Sequence, residues 1–544
     1  MTGDLDEMKT RVRHCLMRSV PADLSLQNVS DDTHLFDEAV LDSLSTVALF
    51  SEIETEFQIK LKEDDVFSTS FTTIGGIAEL VEIAVSAPGH FGAYAGRRFP
   101  GAQVAVTALP ENPLLTFSSK NAKLHNQTLQ GRSTFMSEAN TQKPGVESTS
   151  RAEMRSSQRV NQWKGVWDLI YRAGARGKDP AFNIAGWQSS YERKPIAAEA
   201  MADWVQNTVA SIRELEPSRV LEIGCGTGLL LQRLAPDCAE YWGIDVSAES
   251  IKFLQGLGMD SERVHLLNQS ADRLQDLPPA FFDTVVINSV IQYFPNANYL
   301  LGVLRQIVGL LSSGGAIFLG DVRHFGLLET FVTEVVAHQS GEDVPIAQLK
   351  EDVEEKLAQE RELQFDPRFF SVLKREIPAI RHAEVRLKGG HHLNELTKYR
   401  YDVVLYVGSR PLHGDVPTVR ATGHDLEKQI ENERPTALRL AGVSNTRLNS
   451  ALETLKNLDS VSTVGELRTL VSKRPQSGSR SPQEWIDWSC SRGYRAMLSW
   501  VPGAADGSYD ILLEREGEKR SVWDCAPASP DSSLTEFVNN PLGG

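Results

Sequence analysis

The stretch "VLEIGCGTGLLLQRL", residues 220–234, runs from an apolar strand through Glu222 into Gly224, Gly226 and Gly228, and ends in an apolar helical segment. Glycines at such a junction let the backbone turn tightly and let a ligand approach the main chain. The helix start beyond them offers free N–H groups. This geometry serves nucleotide-like cofactors in doubly wound sheets. A dinucleotide loop of the form G-x-G-x-x-G/A would put Gly or Ala at position 229, where Leu229 stands. The spacing is instead E-x-G-x-G-x-G. A second acidic residue, Asp245, ends the next apolar segment, "YWGID", where a carboxylate can accept from both ribose hydroxyls. Ribose chemistry does not separate the two cofactor classes, so the glycine spacing decides.

Outward from this loop, residues 158–408 alternate between helical and strand patterns. Candidate strands are 219–224, 241–245, 264–268, 282–289, 315–322, 384–388 and 401–408. Short apolar runs separated by helices predict an α/β domain with a mainly parallel sheet. The last two strands have no helix-length segment between them, which predicts an antiparallel pair at one edge. Residues 409–535 carry a mixed α+β pattern without a catalytic signature and read as a packing extension. Residues 536–544 read as a disordered tail.

The glycine spacing resembles motif I of class I S-adenosylmethionine (SAM)-dependent methyltransferases. Further segments narrow the likeness: "DPAFNIAGWQSSYERKPIAAEAMADWV" (179–205), "FDTVVINSVIQYFPNANYLL" (282–301), "GGAIFLGDVRHFGLLETF" (314–331) and "NELTKYRYDVVLYVG" (394–408). Together they resemble the methyltransferase domains of nonribosomal peptide and polyketide assembly lines, over residues 158–515. The resemblance implies a Rossmann-like fold and SAM as cofactor. Beside Glu222, it sets Gly224, Gly226 and Gly228 against the methionine part and Asp245 on the ribose. Ala271 and Asp272 fall by the adenine, with a helix N-terminal carboxylate as the plainer role for Asp272. Asn288 and Ser289 fall next to the methyl-bearing sulfur.

Methyl transfer from a sulfonium is an in-line displacement, so the protein must chiefly align acceptor, methyl and sulfur. Candidates to take the acceptor's proton are Tyr293, Asp321, Arg323, His324, His391, His392 and Glu395. Asp321 fits a base or an orienting group. Trp187 and Tyr191 either cover the cofactor, line the acceptor pocket or pack the core.

Residues 1–86 read as an all-α, four-helix unit, with a first helix over 3–18, a second starting near Ser43 and a last one in "TIGGIAELVEIAV". Ser43 at a helix start is by itself an ordinary N-cap. Its surroundings, "THLF", "DSL", Glu52, Glu54 and Glu56, "FQIKL" and "TTIGGIAELV", resemble the acyl/peptidyl carrier pattern. "DEAVLDSL" departs from the glycine-containing loop common in carriers. The resemblance implies a 4'-phosphopantetheine arm on Ser43, installed by a phosphopantetheinyl transferase. Residues 87–157, rich in Gly, Ser, Thr, Asn and Gln, read as a flexible linker giving that arm reach.

The chain has 544 residues, a net charge of −16 and five widely spaced cysteines. The acidity argues against a nucleic-acid partner. The cysteine spacing argues against a disulfide framework or metal site and fits the cytoplasm. No apolar run approaches the ~20 residues of a membrane span. The expectation is therefore a multidomain protein: a carrier joined to a class I methyltransferase acting on a thioester-bound acyl group, beside other synthase enzymes. No amino-acid-selecting domain accompanies it, which puts an oxygen acceptor ahead of nitrogen, and both ahead of carbon. Other readings are a carrier or docking module with a non-catalytic methyltransferase fold, and a nicotinamide oxidoreductase, against which Leu229 argues.

Overall fold

The computed structural model describes residues 5–20, 29–33, 35, 49–50, 52–54, 56–57, 59, 72–86, 156–157, 159–168, 170–171 and 179–541, apart from 413, 415, 421–425, 474–478, 502, 505, 519–520, 526–528 and 530. Ser43 lies outside them, as does the span read as a linker apart from residues 156–157.

In the N-terminal unit, helices Leu5–Ser19 and Ile74–Ser86 pack together. Met8, Val12, Cys15 and Leu16 recur every three or four residues, which puts them on one face. That face shares a buried core with Ile74, Ile77, Ala78 and Val81, joined by Leu35, Leu49 and Ile53. Arg18 donates to Glu52 at 2.8 Å and Glu56 at 3.1 Å, tying the segment after Ser43 to the first helix. Two of the four expected helices are described whole.

The α/β unit is a seven-stranded sheet. Its strands are β1 Arg219–Ile223, β2 Glu240–Asp245, β3 Val264–Asn268, β4 Phe282–Asn288, β5 Leu311–Arg323, β6 Ile380–Leu387 and β7 Arg400–Val407. Their order across the sheet is β3-β2-β1-β4-β5-β7-β6. β1 to β5 are parallel, and β7 is antiparallel to both β5 and β6. The central β4, "FDTVVIN", is buried on both faces along most of its length, as a continuous apolar run in a covered parallel sheet must be. The expected antiparallel edge pair is β6–β7. The strand order reverses at β1, where the glycine loop emerges, so a crevice opens at the C-terminal ends of β1 and β4.

Residues beyond β7 form a second sheet from β8 Thr418–Arg420, β9 Ala437–Val443, β10 Tyr494–Trp500 and β11 Tyr509–Arg515, ordered β10-β11-β9-β8. Its Leu440, Ile511 and Trp500 belong to one buried cluster with Phe370, Ala383 and Val385 of the first unit. The tail expected to be disordered is docked as far as residue 541 is described. Asp366 N–H donates to the Phe537 carbonyl at 2.9 Å, Gln364 N–H to Asn539 Oδ1 at 2.7 Å, and Arg368 lies over the Phe537 ring. An apolar Phe537 seated under a guanidinium anchors what composition alone marks as loose.

Candidate active site

The glycine loop turns where β1 ends. Gly224, Gly226 and Gly228 have φ of +80°, +51° and +79°, the left-handed region that favours glycine. A methyl group added at them would lie 2.3 Å from Val290 Cγ2, 2.9 Å from the Tyr171 hydroxyl and 2.6 Å from Leu254 Cδ2. Both conformation and space therefore require glycine. The Gly224 and Cys225 N–H groups donate to the Ile244 carbonyl at 2.7 and 3.1 Å, locking the loop to β2.

Asp245, at the end of β2, is buried and lines the cavity. Its Oδ2 accepts from Gly226 N–H and its Oδ1 from Ser247 N–H, each at 2.8 Å. Burial pushes its carboxyl up to about 6 against these two donors. Each oxygen keeps a lone pair for a ribose hydroxyl. Glu222 accepts from the buried Tyr241 hydroxyl at 2.8 Å; burial outweighs that bond and pushes its carboxyl up to about 8.

Asn288 and Ser289 end β4. Asn288 lines the cavity, while its Oδ1 is buried on the Gly320 side without a hydrogen-bond partner among the described residues. Ser289 and Asp321 both take left-handed backbone, φ +56° and +65°, and the Ser289 hydroxyl donates to Asp321 Oδ2 at 2.7 Å. Two non-glycine residues held there at facing strand ends mark a site whose surroundings enforce strain.

Asp321 is the hub of this end. Trp204 Nε1 donates to it at 3.1 Å, Arg400 Nη1 at 2.7 Å, and Lys388 Nζ lies 3.4 Å away. Burial would raise its carboxyl, but Arg400, Lys388 and the Ser289 and Trp204 donors win and hold it at about 2. A fully buried carboxylate braced by two cations is a poor proton acceptor, which favours the orienting role over the base of the two expected for Asp321.

The other expected residues divide. Tyr293, His324 and Glu395 line the cavity. Burial raises the Tyr293 hydroxyl, which therefore stays protonated and acts as a donor. His324 sits edge-on to Tyr401 and Trp500; burial, against the pull of Asp366, drops its imidazole to about 4, so it is neutral at pH 7. Glu395 accepts from Ser190 N–H at 2.7 Å. His391 and His392 are exposed and outside the lining, because their N–H groups turn inward to Asp203 and leave the rings in solvent. Ala271 lines the cavity and Asp272 does not; Asp272 accepts from the Ser270 hydroxyl at 2.5 Å instead. Arg323, bonded to Glu360 and Glu362, is charge-paired in the wall. Trp187 packs on Trp204 at 4.5 Å and also lines the cavity. The Tyr191 hydroxyl donates to Glu334 at 2.6 Å.

Several lining residues escaped the sequence reading. Trp163, Trp167 and Tyr171, with Tyr293 against the two tryptophans, form an aromatic wall over the glycine loop. Arg159, Trp163, Trp167 and Tyr171 recur every four residues, a helical stripe that was there to be read. Gln292 also lines the cavity, with its Oε1 buried and unpartnered among the described residues.

The crevice therefore offers a cradle that only main chain can line, a buried carboxylate for a diol and an aromatic cover. These fit SAM, which supplies an electrophilic methyl group when bound. Among the described residues, no helix is long and apolar enough to cross a membrane.

Comparison with known proteins agrees with this geometry. Residues 20–81 match the family described as phosphopantetheine attachment site, and residues 221–317 the family described as methyltransferase domain. Chondramide synthase cmdD of Chondromyces crocatus is 34% identical over 406 residues, 72% of this chain and 10% of that protein. The nonribosomal peptide synthetase CymA of Salinispora arenicola is 37% identical over 369 residues, 67% of this chain and 4% of that protein. The chain thus spans a tenth or less of either relative's length. Among solved structures, N-methyltransferase NodS from Bradyrhizobium japonicum, in complex with S-adenosylhomocysteine, aligns with 38% of this chain and 87% of its own, at 16% identity and a TM-score of 0.25.

Proposed function

We propose that this chain, a phosphopantetheine carrier domain joined to a SAM-dependent methyltransferase domain, methylates a substrate held as a thioester on a carrier during natural-product assembly. The observation that carries the proposal is the glycine cradle with Asp245 beneath it, in the same chain as a carrier domain. Tethering an acceptor raises its concentration at the crevice to about millimolar, which favours a weakly held substrate.

The preference for an oxygen acceptor rested on the lack of an amino-acid-selecting domain. In a chain spanning a tenth or less of its relatives, that lack weighs nothing. CymA is by name a probable nonribosomal peptide synthetase, which favours the amine of an aminoacyl thioester. The second reading is a hydroxyl acceptor.

The test is intact-protein mass after coexpression with a broad-specificity phosphopantetheinyl transferase, beside Ser43→Ala. A phosphopantetheine-sized gain absent from the variant supports the carrier. Aminoacyl and hydroxyacyl groups are then loaded in parallel and incubated with SAM. Methyl gain on the aminoacyl form supports the amine reading, gain on the hydroxyacyl form alone replaces it, and failure of the folded protein to bind SAM sinks the enzyme reading.

A further inference from the structure

The extension beyond β7 sends one charged side chain into the interior next to the site. Arg447 sits on a short turn, Thr446–Leu448, after β9, and is buried. Its guanidinium donates to three main-chain carbonyls: Lys388 at 2.7 Å, Thr397 at 3.2 Å and Gly390 at 2.8 Å. All three belong to the segment that joins β6 to β7, Thr397 within its short helix Glu395–Tyr399. Burial lowers its proton affinity to about 10, against the pull of Tyr509 and Asp203. None of these bonds goes to a carboxylate. A buried guanidinium bonded to neutral carbonyls does for a loop what a neighbouring strand does for a sheet edge: its rigid fork satisfies acceptors that have no ladder. Gln483, also from the extension, holds the same loop from the other side, accepting from Gly390 N–H at 2.7 Å.

What hangs on that loop is the acceptor end of the crevice. Lys388 donates to Asp402 Oδ1 at 2.7 Å, and Asp402 Oδ1 accepts from Asp321 N–H at 2.9 Å. Glu395 pins Ser190 of the segment that includes Trp187 and Tyr191. Lys398 pairs with Glu334, and Arg400 with Asp321. Glu395, Tyr399 and Arg400 line the cavity, whereas no described residue of the extension does. The glycine loop makes none of these contacts.

We propose that Arg447, with Gln483, is a positioning residue for methyl transfer: the C-terminal extension sets the alignment of the acceptor end by holding residues 388–400, and leaves the cofactor end alone. The proposal rests on the methyltransferase reading above. A displacement on the order of 1 Å at a reacting centre reduces turnover by up to about 10²-fold.

The experiment compares the full, phosphopantetheinylated chain with Arg447→Met, Arg447→Lys and Gln483→Leu. Amide exchange is read by peptide mass, SAM affinity by calorimetry, and kcat and KM with aminoacyl and hydroxyacyl pantetheine thioesters. Expected for Arg447→Met are faster exchange across 388–400 but not across 220–230, SAM affinity within about twofold of wild type, and kcat down roughly 10- to 100-fold. Arg447→Lys should recover part of the kcat. Unchanged exchange at 388–400, unchanged kcat, or SAM affinity falling in step with kcat overturns the proposal. Should Arg447→Met fail to fold, Gln483→Leu decides, with the same pattern at smaller size expected and wild-type exchange and kcat fatal. A wild type that binds SAM yet methylates neither thioester sinks the acceptor reading, and the exchange comparison then decides the role of Arg447 alone.

Discussion

The two ends of the crevice are built by opposite means. The cofactor end is main chain: three glycines in left-handed backbone, N–H groups bonded to β2, and one carboxylate left with free lone pairs. The proposed acceptor end is braced by side chains behind its lining: Asp321 held by Trp204, Ser289, Arg400 and Lys388, and Glu334 held by Tyr191, Tyr399 and Lys398. A main-chain cradle tolerates no added atom but needs little support from afar. A braced side-chain cluster tolerates changes at its rim but fails when its hub loses charge.

The sharpest way to break this contrast is Asp321→Asn. It leaves the buried Lys388 and the partly buried Arg400 beside a neutral amide, although Lys388 keeps Asp402. Removing one partner of a buried pair costs about 3–5 kcal/mol, so urea unfolding should show a loss of that order. A loss under about 1 kcal/mol would mean that the hub is not charged as described.

At the opposite end, Asp245→Asn turns one of the two oxygens that accept from Gly226 and Ser247 N–H into an NH2 group, so it should cost about 1–3 kcal/mol of stability and weaken SAM. Hydrogen bonds to a charged group contribute about 1.5–3 kcal/mol, so calorimetry should show affinity down roughly 10- to 150-fold. The same carboxylate sets a pH dependence. Ribose hydroxyls donate best to its ionised form, and burial holds its carboxyl at about 6. SAM affinity should therefore rise from pH 5 to 7 and level off above. Without ligand the sign reverses. A carboxyl raised by burial favours folding at low pH, and that contribution is lost as pH climbs through about 6. Affinity that is flat over pH 5–7 would remove Asp245 from the ribose.

Gly224→Ala tests the cradle through shape rather than charge. Its methyl would meet Val290 Cγ2 at 2.3 Å on a left-handed backbone, so a loss of about 1–3 kcal/mol in stability is expected, with SAM binding lost. Retained binding would show that the loop shifts freely. The smallest effect belongs to Tyr191→Phe, which removes one donor to Glu334 while Tyr399 and Lys398 remain. It should cost about 1 kcal/mol by thermal unfolding and leave SAM affinity unchanged.

The contrast also explains how much of the site was legible beforehand. Glu222, the three glycines and Asp245 fall within one short stretch of chain, where spacing carries geometry. The acceptor end has no such stretch. Arg400 and Asp321 stand 79 residues apart, Trp204 and Asp321 117, and Ser190 and Glu395 205. No local pattern encodes such contacts, so Asp321 read equally as a base or an orienting group, and the exposed His392 as a candidate on residue type alone. Strand positions and the antiparallel edge were legible because period and loop length are local. The aromatic stripe at 163, 167 and 171 was legible in principle, yet its spacing alone does not separate a cavity wall from a core. The docked tail depended on an apolar residue meeting a distant arginine.

The place of β7 in the sheet bears on how the protein is made. β7 lies between β5 and β6, so β6 has no sheet neighbour until β7 has emerged. From Arg323, the end of β5, to Val407, the end of β7, the ribosome must add 84 further residues (407 − 323). At ~5–20 residues per second this takes roughly 4–17 s. Throughout that interval the edge of β5, with Ile317, Phe318 and Leu319, has no strand beside it. Its apolar side chains and open hydrogen-bonding groups make it a template for the wrong partner. A recombinant fragment ending before residue 400 would keep that edge permanently, and should be recovered from aggregates rather than from solution. Slower translation through 324–400 should lower the yield of soluble chain, and slower translation after 407 should not.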